Sequence, residues 1–206
     1  MSPVAATGRA GRLRLRRRLD VANRASELLD RKQRILTGQL DRMELESRRT
    51  GDEWRDAAAE AATWLQRSAA LDGQRGLTAA APVAAASVAV EYAEAMGVRY
   101  PVHATARPPD EPGRSGSSAL GFAVAGHRRA LAAAVRHAAT LRAHALLTAE
   151  LEHTRARQRA IENRWIPRLE DELHTLEAQL DEMDREENVR VRWAAERLGA
   201  GRGGPG

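Results

Sequence analysis

The chain contains no cysteine. Disulfide frameworks, cysteine-based zinc sites and thiol nucleophiles are therefore excluded. Aromatic residues are scarce: four Trp, two Tyr and one Phe, 3% of 206 residues. The hydrophobic 43% is inflated by alanine. Such a composition buries a long thin seam more readily than a thick core. Lysine is nearly missing, since Lys32 is the one lysine among 33 basic residues. Long hydrophobic runs are missing too. The longest apolar stretch, Leu77 to Val90, spans 14 residues and contains Pro82, whereas a membrane span needs about 20. The basic run Arg12 to Arg18 is not followed by a hydrophobic stretch, so no signal peptide is expected. These absences point to a soluble cytoplasmic protein of one or two domains.

Charge is present in quantity and unevenly placed. Residues 1–50 hold 13 basic and 6 acidic side chains, whereas residues 168–188 hold 2 basic and 9 acidic ones. The stretch 189–206 turns basic again, with four Arg against Glu196. This asymmetry suits electrostatic partners, although solvated helices carry similar patterns.

A heptad phase runs through the first third of the chain. Alternating steps of four and three from Leu15 reach Leu19, Ala22, Ser26, Leu29, Gln33, Leu36, Leu40, Met43, Ser47, Thr50, Trp54, Ala57, Ala61, Trp64, Ser68 and Leu71. Nine of these 17 positions are large and apolar, three are Ala, and the phase holds for eight heptads. That predicts a coiled-coil helix. The polar seam positions Ser47 and Thr50, beside Gly51, predict a kink or fraying near Thr50–Asp52.

Gly73 and Gly76 predict the end of this helix. Val88 to Tyr92 alternates as a strand does, and Val98 to His103 is a second candidate, with a turn at Glu94–Gly97 between them. Thr105 to Ser118 is rich in Pro, Gly and Ser and reads as a flexible loop. A second helical segment follows from about Ala119 to Leu198. Its seam includes Leu131, Leu141, Leu151, Ile161, Trp165, Leu169, Leu173, Leu176, Leu180 and Met183. The spacing slips between Trp165 and Leu173, and Pro167 lies inside the slip, where a lost helix hydrogen bond should bend the helix.

The expected fold class is therefore mainly α: a long antiparallel two-helix coiled coil with a small central β-hairpin and loop. The expected segments are a helix over 12–72, a hairpin and loop over 73–118, helices over 119–198 and a disordered tail over 199–206. Roughly 60 residues per helix would give a rod of about 90 Å. Both termini would lie at one end, Leu13 would pair near Leu198, and the hairpin would lie toward the other end.

No catalytic constellation is found. Gly113, Gly116 and Gly121 fit neither phosphate-binding glycine pattern, and HExxH is absent. His137 and His144 are seven residues apart, whereas metal ligands on one helix are usually three or four apart. Glu170, Asp171, Glu172, Asp181, Glu182, Asp184, Glu186 and Glu187 read as a solvated acidic face rather than as paired acid and base. No cofactor is implied. The basic start could contact nucleic acid phosphates, but it lacks interleaved aromatics, and its leucines fit the seam. A basic coiled coil that binds nucleic acid or scaffolds other proteins is the alternative function.

Two terminal blocks carry a family resemblance. The first is Leu13 to Leu36, LRLRRRLDVANRASELLDRKQRIL, in which a basic-leucine run precedes Leu19, Ala22, Leu28, Leu29 and Lys32. The second contains Thr154 to Glu162, then Trp165-Ile-Pro-Arg-Leu-Glu170, then Asp181 to Glu187. A smaller match is Met96-Gly-Val98 followed by Pro101. These blocks resemble the D subunit of the V-type (archaeal and vacuolar) ATPases and ATP synthases, the central rotor shaft. The resemblance covers roughly half the chain, in the family's order.

What the resemblance implies is a non-catalytic central-stalk component that carries torque between the ion-translocating ring in the membrane and a catalytic hexamer. ATP synthesis or hydrolysis, coupled to proton or sodium transport, would occur on other subunits. The implied partners are the hexamer of A and B subunits, the F subunit, and the C/d socket of the proteolipid ring. Nucleic acid and direct membrane insertion are not implied. The protein would sit peripherally on the cytoplasmic face of the cell membrane. Arg12, Arg14, Arg16, Arg17 and Arg18 would form a bearing at the rotor tip. Leu19, Ala22, Leu29, Lys32, Leu36, Ile161, Glu162, Ile166, Pro167, Arg168 and Leu169 would make the shaft seam and the family motif.

Overall fold

The computed structural model describes residues 8–82, 84–109 and 116–200. Helix α1 runs Gly8–Ala80 and is followed by strands β1, Ser87–Ala95, and β2, Val98–Arg107. Helix α2 spans Ser118–Ala160, a π-helical turn covers Ile161–Trp165, and α3 continues over Ile166–Ala200. The expected mainly α fold, an antiparallel coiled coil with a central two-stranded hairpin, is the observed one. Of the loop expected at 105–118, residues 105–107 instead extend β2 and Ser118 opens α2, while 110–115 lie outside the described residues; of the tail expected at 199–206, residues 199–200 end α3 and 201–206 lie outside the described residues.

The helices form two compact units. The terminal unit contains the chain up to Arg31 and from Arg155 onward. Its core is Leu15 and Ala22 of α1 against Leu169, Leu176 and Leu180 of α3, flanked by Leu19, Ile161, Ile166 and Leu173. The register is antiparallel: Arg9 meets Asp184 at 3.4 Å and Arg16 meets Glu177 at 2.6 Å. Leu13 therefore lies opposite the stretch between Glu177 and Asp184, not opposite Leu198. The physical reason is the apolar seam of α3, which buries nothing between Asp181 and Arg197 and so sets the register at Leu180. Beyond it, Asp181 to Arg197 are all exposed.

The slip in the second seam has a definite structural form. The π turn gives an Ile166 N–H to Ile161 O bond, five residues apart. In an α-helix, side chains five residues apart diverge by about 140°. The wider π turn accommodates one extra residue and brings Ile161 and Ile166 to the same core. Trp165, expected in the seam, is instead 60% exposed. Pro167 follows at the second position of α3 and has no N–H with which to continue the ladder.

The central unit spans Lys32–Thr154. Leu36 of α1 and Ala143, Leu147 and Leu151 of α2 form its core, and Tyr100 of β2 packs into the same cluster. Ala93, Ala95 and Val98 flank it. The hairpin thus lies along the two helices beside Leu36 and Leu147, not at their turn, because Tyr100 is the large apolar group that covers this part of the seam. The strands pair antiparallel, Ala95 with Val98 through Ser87 with Arg107. A two-residue turn joins them, with φ of 52° at Met96 and 80° at Gly97, as the tight hairpin turn requires. The register shifts at Glu91/Tyr92, where Tyr92 faces Pro101 and Glu91 faces His103. Val102 is the extra residue of this bulge, next to a proline that cannot donate to the ladder.

The kink expected at Thr50–Asp52 is not formed. Helix α1 is continuous there, and Thr50 is buried. Its hydroxyl donates to the Glu46 carbonyl at 2.9 Å. The helical geometry breaks instead at Gly73, with φ 65° and ψ 177°, before a further short helical stretch to Ala80. A positive φ of this size costs glycine nothing and other residues strain.

Small residues let α1 and α2 approach closely. A Cβ placed on Gly126 would lie 3.1 Å from Ala61 Cα, and one on Gly51 would lie 3.2 Å from the His137 ring. Large seam side chains are displaced to the flanks of this approach. Trp54 stacks on His137 with centroids 5.9 Å apart, and Trp64 on Phe122 at 4.6 Å.

Two glycines of α2 make a paired test. A Cβ on Gly121 meets nothing within 4 Å, so Gly121→Ala should stabilise the protein by up to about 1 kcal/mol through helix propensity. Gly126→Val drives atoms into the α1 backbone and should destabilise it by about 2 kcal/mol. Urea midpoints of both variants check the opposite signs.

Candidate partner-contact surfaces

The five arginines of the basic start occupy one turn after another of α1. Arg14, Arg16, Arg17 and Arg18 are exposed, and Arg12 is half-buried with its Nε enclosed and without a hydrogen-bond partner. Leu15 sits between them and is buried in the seam. The spacing explains the split: Leu15, Leu19 and Ala22 share the face toward α3, which leaves the arginines between them to solvent. Arg16 pairs with Glu177.

The other sequence-derived residues divide in the same way. Ala22, Leu36 and Leu169 are buried, and Leu19, Leu29, Lys32, Ile161 and Ile166 are half-buried. Glu162, Pro167 and Arg168 are exposed, and Arg168 pairs with Glu172 at 2.9 Å. The structure thus brings Leu19, Ala22, Ile161, Ile166 and Leu169 together in the terminal unit. Lys32 and Leu36 belong to the central unit. There the Lys32 ammonium reaches the Glu150 carboxylate at 2.5 Å, with 24% and 28% of the two side chains exposed.

Sequence reasoning misses a series of polar rungs across the seams. Ser26 Oγ donates to Glu162 Oε1 at 2.5 Å, and Gln158 Nε2 donates to the same oxygen at 2.8 Å. Both bonds, Ser26 first, hold the Glu162 carboxyl below the usual glutamate range. Thr50 Oγ1 lies 3.1 Å from His137 Nδ1. Its proton goes to the Glu46 carbonyl, so the hydroxyl accepts from the ring and the histidine proton sits on Nδ1. Asp72 ties the end of the long stretch of α1 to the start of α2. It accepts from the Ser117 hydroxyl and from the Ser117 N–H at 2.9 Å, and these bonds hold its carboxyl below the ordinary aspartate range. Ser117 in turn caps α2 by accepting from the Leu120 N–H at 3.2 Å. The signal for these rungs is present as Ser26, Thr50 and Ser68 at seam positions, but their partners depend on the helix register.

Among the described residues no three His, Cys, Asp or Glu side chains converge to hold a metal ion. A groove of about 690 Å³ in the central unit is lined mainly by apolar residues such as Leu77, Leu120, Val124 and Leu131, with His127 and Arg128 as its basic side chains. Among the described residues no helix is long and apolar enough to cross a membrane.

A paired-helix seam with charged outer faces and a hairpin laid on it defines an antiparallel coiled-coil protein. The family model for the D subunit of ATP synthase matches residues 12–196. The V-type ATP synthase D subunit of Anaeromyxobacter dehalogenans strain 2CP-C is 35% identical over 201 residues, covering 91% of this chain and 94% of that protein. The corresponding V-type ATP synthase D subunit of Anaeromyxobacter sp. strain Fw109-5 is 34% identical over 200 residues, with 90% of each chain covered. The chain belongs to the ATP synthase D-subunit family, whose members are structural subunits of a complex that couples ATP synthesis to ion transport.

The Ser117 cap offers a pH test. Asp72 has its folded pKa lowered, so its contribution is complete above the unfolded pKa and is lost as pH falls through the folded one. Ser117→Ala should cost about 1 kcal/mol at neutral pH through loss of the cap on Leu120. The gap to the unsubstituted protein should narrow as pH falls below the ordinary aspartate range and Asp72 takes up its proton. Urea midpoints at each pH measure it, and a gap that widens in acid contradicts the assignment.

Proposed function

We propose that this chain is the central rotor shaft of a V-type ATP synthase: a non-catalytic subunit that carries torque between the membrane ion-translocating ring and the catalytic hexamer. The observation that carries this reading is the family match over residues 12–196, in which the antiparallel seam and the hairpin occupy the matched region. The partners are the hexamer of A and B subunits, the F subunit, and the C/d socket of the proteolipid ring. The chain is then peripheral on the cytoplasmic face of the membrane.

The physical logic follows from the seam. A shaft must be slim, and Ala and Gly at the crossing permit close helix approach. It must resist twisting, and two helices zipped by alternate apolar and polar rungs resist it better than one. It must also be asymmetric about its axis. In the terminal unit the α1 face carries Arg14, Arg17 and Arg18, whereas the α3 face carries Glu170, Asp171 and Asp181. A rotor with unlike sides presents a different potential to each catalytic interface at each angle, so nucleotide state and rotation become linked. The arginines form the bearing in the bore of the hexamer.

Charge reversal tests the bearing. The triple variant Arg14→Glu, Arg17→Glu, Arg18→Glu should fold as the unsubstituted chain does, because all three side chains are exposed. In the assembled complex it should lower the number of ions transported per ATP hydrolysed, with binding to the hexamer weakened about tenfold. Unchanged transport stoichiometry at unchanged assembly contradicts the role.

A further inference from the structure

The two strands of the hairpin differ at their outer edges. The sheet consists of β1 and β2 alone, so each strand has one neighbour and one free side. The free side of β2 is blunted. Pro101 has no N–H to offer there, the bulge at Val102 bends the strand, and Tyr100, Pro101 and Ala104 are buried. Strand β1, SVAVEYAEA, has no proline, lysine or glycine to protect its edge. Residues 87–92 are exposed on both faces of the sheet. This half of β1 therefore stands clear of the helices, with room beside it.

The pairing shows which groups point outward. Ala95 and Val98 flank a two-residue turn and form a hydrogen-bonded pair. Counting back along β1 in twos, Ala93, Glu91 and Ala89 turn their N–H and C=O groups toward β2, whereas Tyr92, Val90 and Val88 turn theirs to the free side. Among the described residues none of these outward groups is bonded to another part of the chain. Donors and acceptors at this spacing fit an extended strand, not a helix. The side chains of the same three residues are apolar and 51%, 39% and 51% exposed for Val88, Val90 and Tyr92.

The sequence of β1 is complementary to itself. Laid antiparallel about a two-fold axis at Val90, two β1 strands set Val90 opposite Val90, Val88 opposite Tyr92 and Ala89 opposite Glu91. No carboxylate then stands opposite a carboxylate. Each Glu91 keeps His103 of its own β2 across from it, and each Glu94 keeps Arg99. About six backbone hydrogen bonds close between Val88, Val90 and Tyr92 of the two copies. Their apolar side chains meet on one face, where Arg99 already lies over the Tyr92 ring at 4.4 Å.

We propose that the free edge of β1 is a self-recognition surface, through which two copies of the unassembled chain join their hairpins into one continuous antiparallel sheet. The pairing needs only the hairpin and holds whether or not the chain is a rotor. Pairing of a single strand is a small contact, so it is reversible and set by concentration.

Sedimentation of the full chain measures the pairing. The average mass should rise from that of one chain toward that of two as the concentration is raised to about 100 μM. Over the same range hydrogen exchange at the amides of Val88, Val90 and Tyr92 should slow, while the amides of Ala89, Glu91 and Ala93 are slow throughout. Val90→Pro removes an N–H that the hairpin itself does not use. It should leave the urea midpoint of the dilute chain unchanged and weaken self-association about tenfold or more. Val90→Lys keeps the backbone intact and sets two ammonium groups opposite one another, so it should weaken pairing most at low salt. A chain that stays single at every concentration, with the outward amides exchanging freely, overturns the proposal and leaves the edge to solvent or to another protein. A single chain in which those amides are always slow shows that its own residues cover the edge, and overturns it too. Self-association that survives both Val90→Pro and Val90→Lys lies elsewhere on the surface and has the same consequence.

Discussion

Two apolar stripes, each too narrow to make a core by itself, have to cover one another. Everything else in this chain is arranged around that constraint. With seven aromatic residues in 206, no thick interior can form, and leucines and alanines make up nearly all of the buried apolar residues. Leu15, Leu169, Leu176 and Leu180 close the seam in one unit, and Leu36, Leu147 and Leu151 close it in the other. The antiparallel sense follows from chain reversal through the hairpin. The register is a separate matter, because leucine stripes slide past one another at small cost.

Polar groups resolve that degeneracy. Ser26 with Glu162, Lys32 with Glu150, Thr50 with His137, and Asp72 with Ser117 each pair one residue of α1 with one residue across the seam or at the head of α2. A half-buried ammonium or hydroxyl left without its partner is penalised far more than a mismatched leucine. A slip of one heptad would orphan several of these groups together. The steric pairs reinforce this, since Gly126 accepts Ala61 and Gly51 accepts His137 where no other residue type would fit as closely. The seam therefore supplies the stability, while the rungs and glycines choose one alignment.

Much of this is legible in the sequence. The heptads from Leu15 to Leu71 establish the existence of α1, alternation from Val88 marks the hairpin, and Gly97 marks its turn. The slip around Pro167 is visible as spacing, but its form is not. A stutter in the pattern is compatible with a bend, a shift of phase or a π turn, and only the backbone path shows that Ile166 replaces Trp165 in the core. Thr50 misleads because a polar seam residue weakens an isolated helix, whereas here its hydroxyl is satisfied by the Glu46 carbonyl and faces His137. Symmetry of the ends suggests pairing Leu13 with Leu198, but Arg9 and Arg16 meet Asp184 and Glu177 instead. Tyr100 cannot be assigned to the core from its strand alone, because its burial depends on where the hairpin lies along α1 and α2. The arginine run is legible as a surface because its intervening leucines keep the seam phase.

The absence of cysteine makes the most direct measurement clean, because any introduced thiol is unique. A single Arg17→Cys chain can be assembled into the complex and joined by a disulfide to one cysteine placed on the inner wall of the hexamer. If the terminal unit is a turning shaft, ATP hydrolysis should stop when the bond forms and return when it is reduced. Hydrolysis that continues at its full multi-turnover rate with the bond intact would contradict the account.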